Sequence, residues 1–140
     1  MTEVKTESLP KGVQWTLELM AMTYVAVGVL FLVNPDWIIL VVNKAFASFD
    51  WPMVFFPTER FWFSLAVSVP GTRAFLAFSA ARRPAAARLY VTVLQISLLL
   101  AAVLFAWQFA IYKHAPLYVL GFFVELIQVA FYHFLRRWLP

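Results

Sequence analysis

Four apolar stretches, at roughly 14–33, 60–80, 88–111 and 116–136, constrain this chain more than any other feature. At about 1.5 Å of rise per residue, each is long enough as a helix to cross the roughly 30 Å of hydrocarbon in a bilayer. Composition points the same way. The 140-residue chain is 64% hydrophobic and 13% charged, where a soluble chain is roughly half apolar and a quarter charged. With 15 Phe and 6 Trp, a single domain of this length has more apolar surface than it can bury. The bilayer is the solvent that such a sequence requires.

The absence of cysteine excludes disulfides, thiolate metal sites and iron–sulfur clusters held by this chain alone. A formal net charge of +4 invites a nucleic-acid reading. The basic residues, however, are scattered between apolar runs and form no basic face with interleaved aromatics, so no nucleic-acid partner is expected. Placed at the ends of hydrophobic segments, they read as topology signals.

Residues 1–13 (MTEVKTESLPKGV) form a short polar tail ahead of a transmembrane domain over 14–140. Acidic Glu3 and Glu7 stand where a signal peptide carries a basic region, so the first span is expected to be retained. That span ends at Asn34-Pro35-Asp36, which breaks the preceding helix and suits the N-cap, N1 and N2 of a new one. Residues 35–48 therefore predict a helix too short to span, lying at the membrane interface. Trp37, Trp51, Trp62, Trp107, Tyr112 and Trp138 fit headgroup-level aromatic belts. Thr58 can cap the second span and Glu59 complements its positive end, while Arg60 opposes that dipole and needs another partner. Glu59 and Arg60 are thus a candidate outer-side polar site. Pro70 predicts a kink in the second span.

Short connections at Ala81-Arg82-Arg83-Pro84 and Lys113-His114-Ala115-Pro116 force antiparallel neighbours. The expected fold is all-α: a polytopic, antiparallel bundle of four transmembrane helices with a short interfacial helix between the first and second. Lys5, Lys11, Arg82, Arg83, Arg88, Arg136 and Arg137 flank one side, and Lys44, Arg60 and Lys113 the other. This asymmetry predicts both termini in the cytoplasm and the interfacial helix outside; the expected location is an integral position in a bacterial inner membrane.

Glu125 lies near the midpoint of the fourth span, in the run FFVELIQVAF. Gly121, Glu125, Gln128 and Tyr132 follow steps of four, three and four, and share a helix face. Arg88, Thr92, Gln95, Leu99, Ala102 and Ala106 share one on the third span, predicting a hydrogen bond between Gln95 and Gln128 across the seam. Arg73 sits within the second span and has three candidate destinations: Glu18 on the first span, Glu125, or the cytoplasmic surface. Glu125, Gln128, Gln95, Arg73 and Glu18 form the candidate intramembrane polar cluster. An ionisable residue at this depth is a candidate functional site by default. Glu125 has three readings: a hydrogen-bonding staple between helices, which is favoured, a contact to a partner subunit, or a ligand or proton site.

His133 and His114 are candidate ligands for a pigment or haem. Nineteen residues of helix separate them by roughly 28 Å, so they cannot serve one haem in one chain. No zinc-protease, serine-hydrolase or phosphate-loop motif occurs, and no metal site is expected. Cofactors of its own are not expected, though a quinone or a pigment contributed by a larger complex fits the pattern.

VGVLFLVNPDW closing the first span, ERFWFSLAVS opening the second, Gln95 in the third and FVELI in the fourth together resemble the DoxX-like family of small four-helix membrane proteins, over about residues 20–130. In that family the third span often carries a lysine and the fourth an aspartate, at positions that Gln95 and Glu125 resemble. The resemblance implies the same four-helix bundle and a link to membrane redox systems. The leading functional expectation is a non-catalytic accessory or structural subunit that packs against other transmembrane subunits and lipid. The alternatives are a DoxX-like redox accessory or quinone-site protein, with Arg60, Arg73, Glu125 and Gln128 lining its pocket, and a small proton-coupled carrier using Glu125.

Overall fold

The computed structural model describes residues 8–53, 60–111 and 116–140. All regular structure among them is helical: α1 (Lys11–Val33), α2 (Pro35–Ala47), α3 (Arg60–Arg82), a 3-10 turn (Pro84–Ala86), α4 (Ala87–Ile111) and α5 (Pro116–Arg136). Three of these, α1, α4 together with the preceding turn, and α5, are long and apolar enough to cross a membrane. In α3 the apolar run is interrupted by Arg73 and by polar residues around Pro70.

Local chemistry sets the ends of α2. The Asn34 side chain accepts a hydrogen bond from the Trp37 amide at 3.2 Å, with Pro35 and Asp36 in the first turn. Past Ala47 the chain continues in turns to Asp50, whose φ of 54° is left-handed. The Trp51 amide then reaches back to the Phe46 carbonyl at 3.0 Å, and the Asp50 amide to Ala47 at 3.4 Å. This is a Schellman closure, and the Phe46 and Trp51 rings meet edge-on at 5.4 Å to supply its apolar contact. Asp occupies the position that glycine usually takes there.

Helix α1 packs on α3, α3 on α4, and α4 on α5, with α2 against α1. At Gly28 α1 meets α3, where a Cβ would make only ordinary contact, 3.6 Å from that of Pro70. α3 runs as one helix through Pro70. The core gathers Leu9 just ahead of α1, Val13 and Leu17 from its start, Ala77, Ala80 and Ala81 from the end of α3, Ala87 and Val91 from the start of α4, Leu135 from the end of α5 and Leu139 just past it. Those four ends therefore converge. Three successive 3-10-type bonds past α5 fold Leu139 back into this core.

Outside, the pattern is inverted relative to a soluble protein. Leu19, Met22, Leu32, Leu100, Leu104, Ile127 and Phe134 are exposed, whereas Arg73, Gln95 and Glu125 are buried. Of the aromatic belt, Trp37, Trp51, Trp107 and Trp138 are exposed. Tyr112 and the Trp62 side chain lie outside the described residues, as do Thr58, Glu59, His114 and the Arg60 side chain.

Candidate functional site

The inward face of α5 is the one that the sequence spacing defines: Glu125 and Tyr132 are buried, and Gly121 and Gln128 half-buried beside them. Opposite stand α1 and α3, whose inward residues are Leu17, Ala21, Tyr24 and Gly28 on one helix and Arg73, Ala74, Ala77 and Ala80 on the other. The alanines keep α3 close to its neighbours, so a long side chain from Arg73 can cross to α5.

Arg73 Nη1 donates to Glu125 Oε1 at 2.9 Å, with both side chains about nine-tenths buried. Of the three destinations open to Arg73, the structure takes Glu125. An ion pair removed from water is costly unless its remaining donors and lone pairs are also satisfied. Here Arg73 Nε and Glu125 Oε2 are buried with no hydrogen-bond partner among the described residues.

A second chain of bonds runs beside this pair. The Tyr132 hydroxyl donates to the Tyr24 hydroxyl at 3.5 Å, at the limit of a hydrogen bond. Tyr24 in turn donates to Gln128 Oε1 at 2.6 Å. Gln128 Nε2 closes the chain on the Val124 carbonyl of its own helix at 3.4 Å. These bonds and the ion pair tie α5 to α1 and α3, helices from opposite halves of the chain.

Two sequence expectations change. Gln95 and Gln128 do not bond each other: Gln95 Nε2 reaches the Val129 carbonyl at 3.4 Å, while Gln128 turns to Tyr24. The buried side of α4 comprises Ala87, Val91, Leu94, Gln95, Leu98 and Ala102, and Leu99 is exposed, so the inward face is rotated from the one predicted. That rotation brings Gln95 to the Val129 side of α5, away from Gln128. Glu18 also stands outside the cluster. It pairs with Arg82 at 3.2 Å and accepts from Gln14 at 3.1 Å, at a partly exposed level where both charges keep water. Arg82 lies nine residues beyond Arg73, about 14 Å along α3.

Tyr24 was not among the sequence candidates, although it joins the cluster's bonds to α1. Its signal was available in the spacing of the buried residues Val13, Leu17, Ala21, Tyr24 and Gly28, which puts the hydroxyl on the inward stripe. His133 follows Tyr132 but is exposed, facing away from the cluster. No group of three or more potential metal ligands occurs among the described residues.

A separate cavity of about 540 Å³ is lined by Trp51, Pro52, Phe109, Pro116, Val119, Leu120 and Phe123. It contains none of the cluster residues, and Phe123 and Glu125 point to opposite sides of α5. The chemistry that the cluster offers is therefore a neutralised charge pair and a hydroxyl–amide chain within the packed helices. No family model matches this chain, and no curated protein or solved structure does.

Proposed function

We propose that this chain is an integral membrane protein whose helices α1, α3, α4 and α5 all cross the bilayer, and that it acts as a non-catalytic accessory subunit. In this reading α2 lies at the outer interface, the basic ends are cytoplasmic and the membrane is a bacterial inner membrane. One observation carries it: the Arg73–Glu125 pair is spent on joining α3 to α5. A charge pair used this way makes α3, the least apolar of the four, compatible with the bilayer. It works as a staple. The many exposed aromatic and aliphatic residues then supply contact area for lipid and for partner helices.

A second reading is favoured by a different observation. Arg73 Nε and Glu125 Oε2 retain unused hydrogen-bonding capacity in a buried place. A polar group of a membrane-soluble ligand could take it up. That fits the DoxX-like redox accessory implied by the resemblance of VGVLFLVNPDW, ERFWFSLAVS and FVELI, with a quinone as the ligand class. It also fits a carrier that moves a proton at Glu125.

Gentle detergent extraction from the native membrane, followed by native mass spectrometry and an absorption spectrum, separates these readings. The subunit reading expects a stoichiometric complex with other membrane proteins, and the charge-free double change Arg73→Met with Glu125→Leu leaving the complex active. A free homo-oligomer carrying bound quinone overturns that reading in favour of the ligand site. A free protein that moves protons in liposomes, and loses this with Glu125→Gln, favours the carrier.

A further inference from the structure

The charges of the described residues are not shared evenly between the two ends of the packed helices. Where the start of α1, the end of α3, the start of α4 and the end of α5 converge stand Lys11, Arg82, Arg83, Arg88, Arg136 and Arg137, against the single carboxylate of Glu18. At the opposite end the described residues include Lys44 and Arg60 together with Asp36 and Asp50. Between the ends, Arg73 and Glu125 cancel.

Among the described residues little neutralises the basic end. Among the described residues, Arg82 alone of these cations has an anionic partner, in Glu18. Arg83 Nη1 donates to the Tyr90 hydroxyl at 3.2 Å, and Arg88 Nη2 to the Leu139 carbonyl at 3.2 Å. Both contacts are neutral, so they orient a guanidinium without discharging it. The Arg82 and Arg137 guanidiniums each lie 5.1 Å over a phenylalanine ring, Phe78 and Phe134, which holds them at the edge of apolar surface. Trp15 and Trp138, exposed at the same end, are the amphipathic rings typical of the headgroup layer.

We infer that this end of the protein is a docking surface for anionic phospholipid headgroups. Charge complementarity selects the occupant. A phosphodiester accepts from guanidinium forks, and in a zwitterionic lipid the accompanying ammonium cancels the gain. The rings of Phe78, Phe134, Trp15 and Trp138 then lie against the upper acyl chains. The inference rests on the helices crossing a bilayer, and each surface cation contributes about fivefold to anionic-lipid preference.

The test uses the purified full chain, delipidated in mild detergent and incubated with equal amounts of phosphatidylglycerol and phosphatidylcholine of identical chains. Retained lipid is quantified by mass spectrometry after washing. The expected result is a strong preference for phosphatidylglycerol, lowered roughly twentyfold in R83Q/R137Q, unchanged in K44Q, and lost as salt is raised tenfold. The salt series on the unaltered protein keeps the test readable if the double variant misfolds. Equal retention of both lipids, or an equal loss in K44Q, overturns the inference. Displacement of phosphatidylglycerol by equimolar glycerol 3-phosphate also overturns it, by assigning the site to a free phosphate anion. Release of the protein from native membranes by alkaline carbonate instead overturns the spanning reading, so the two failures are distinguishable.

Discussion

Replacing Glu125 by Leu leaves the Arg73 guanidinium buried and without its counter-charge, because the pair is bonded at 2.9 Å with both side chains about nine-tenths buried. Breaking a buried pair in this way costs about 3–5 kcal/mol, most of it the penalty of the stranded charge. On the size scaling for chains near this length, that corresponds to a fall in Tm of roughly 10–20 °C. Removing both charges, as Arg73→Met with Glu125→Leu, strands nothing. Buried pairs replaced by apolar residues are often neutral or stabilising by about 1–4 kcal/mol. The double variant is therefore expected within a few degrees of the unaltered protein or above it. The unpartnered Arg73 Nε and Glu125 Oε2 push in the same direction, since the double change also removes those unmet polar atoms. Thermal denaturation in lipid nanodiscs, followed by tryptophan fluorescence across the four-member cycle, reads the coupling directly. Additive losses, with the double variant as unstable as the two single changes summed, would show that neither single change strands a buried charge. So would a single Glu125→Leu that costs less than about 1 kcal/mol.

Three further outcomes follow from specific contacts. Tyr24→Phe removes the 2.6 Å bond to Gln128 and the acceptor for Tyr132, and is expected to cost about 1–3 kcal/mol in the same denaturation assay. Gly121→Ala places a Cβ 2.8 Å from the Phe105 ring. It is expected to cost about 1–3 kcal/mol, largely recovered when Phe105 is also shortened to Leu. At Asp50, with φ 54°, Gly is expected to be neutral or stabilising and Val to cost about 1–2 kcal/mol, measured by the same melting curves.

The helices were legible in the sequence because their signals are local. Apolar runs bounded by Pro and polar residues are independent of tertiary context, and Asn34-Pro35-Asp36 caps α2 by the same rule in any fold. The inward face of α5 was equally legible, since only one arrangement aligns Gly121, Glu125, Gln128 and Tyr132. On α4 the pattern was ambiguous. A helix apolar all round carries little information about which side faces the core, so Leu99 was assigned inward and is exposed. The partner of Arg73 was beyond reach for a different reason. A guanidinium reaches several ångströms in any direction, and the choice between Glu18 and Glu125 depends on the rotation of α3 about its axis. Tyr24 was overlooked because a tyrosine among apolar residues reads as packing. Its role appears only when Gln128 and Tyr132 of α5 come within reach of its hydroxyl.

The central claim is that α3, with Arg73 at its heart, crosses the bilayer. The natural absence of cysteine makes that claim directly measurable by single-cysteine labelling in intact and permeabilised cells. Ser48, past the end of α2, and Ala85, in the turn between α3 and α4, are both exposed and lie on either side of α3 in the chain. A membrane-impermeant maleimide is expected to modify Ser48→Cys in intact cells, and Ala85→Cys only after permeabilisation. Modification of both positions from the same side would contradict it.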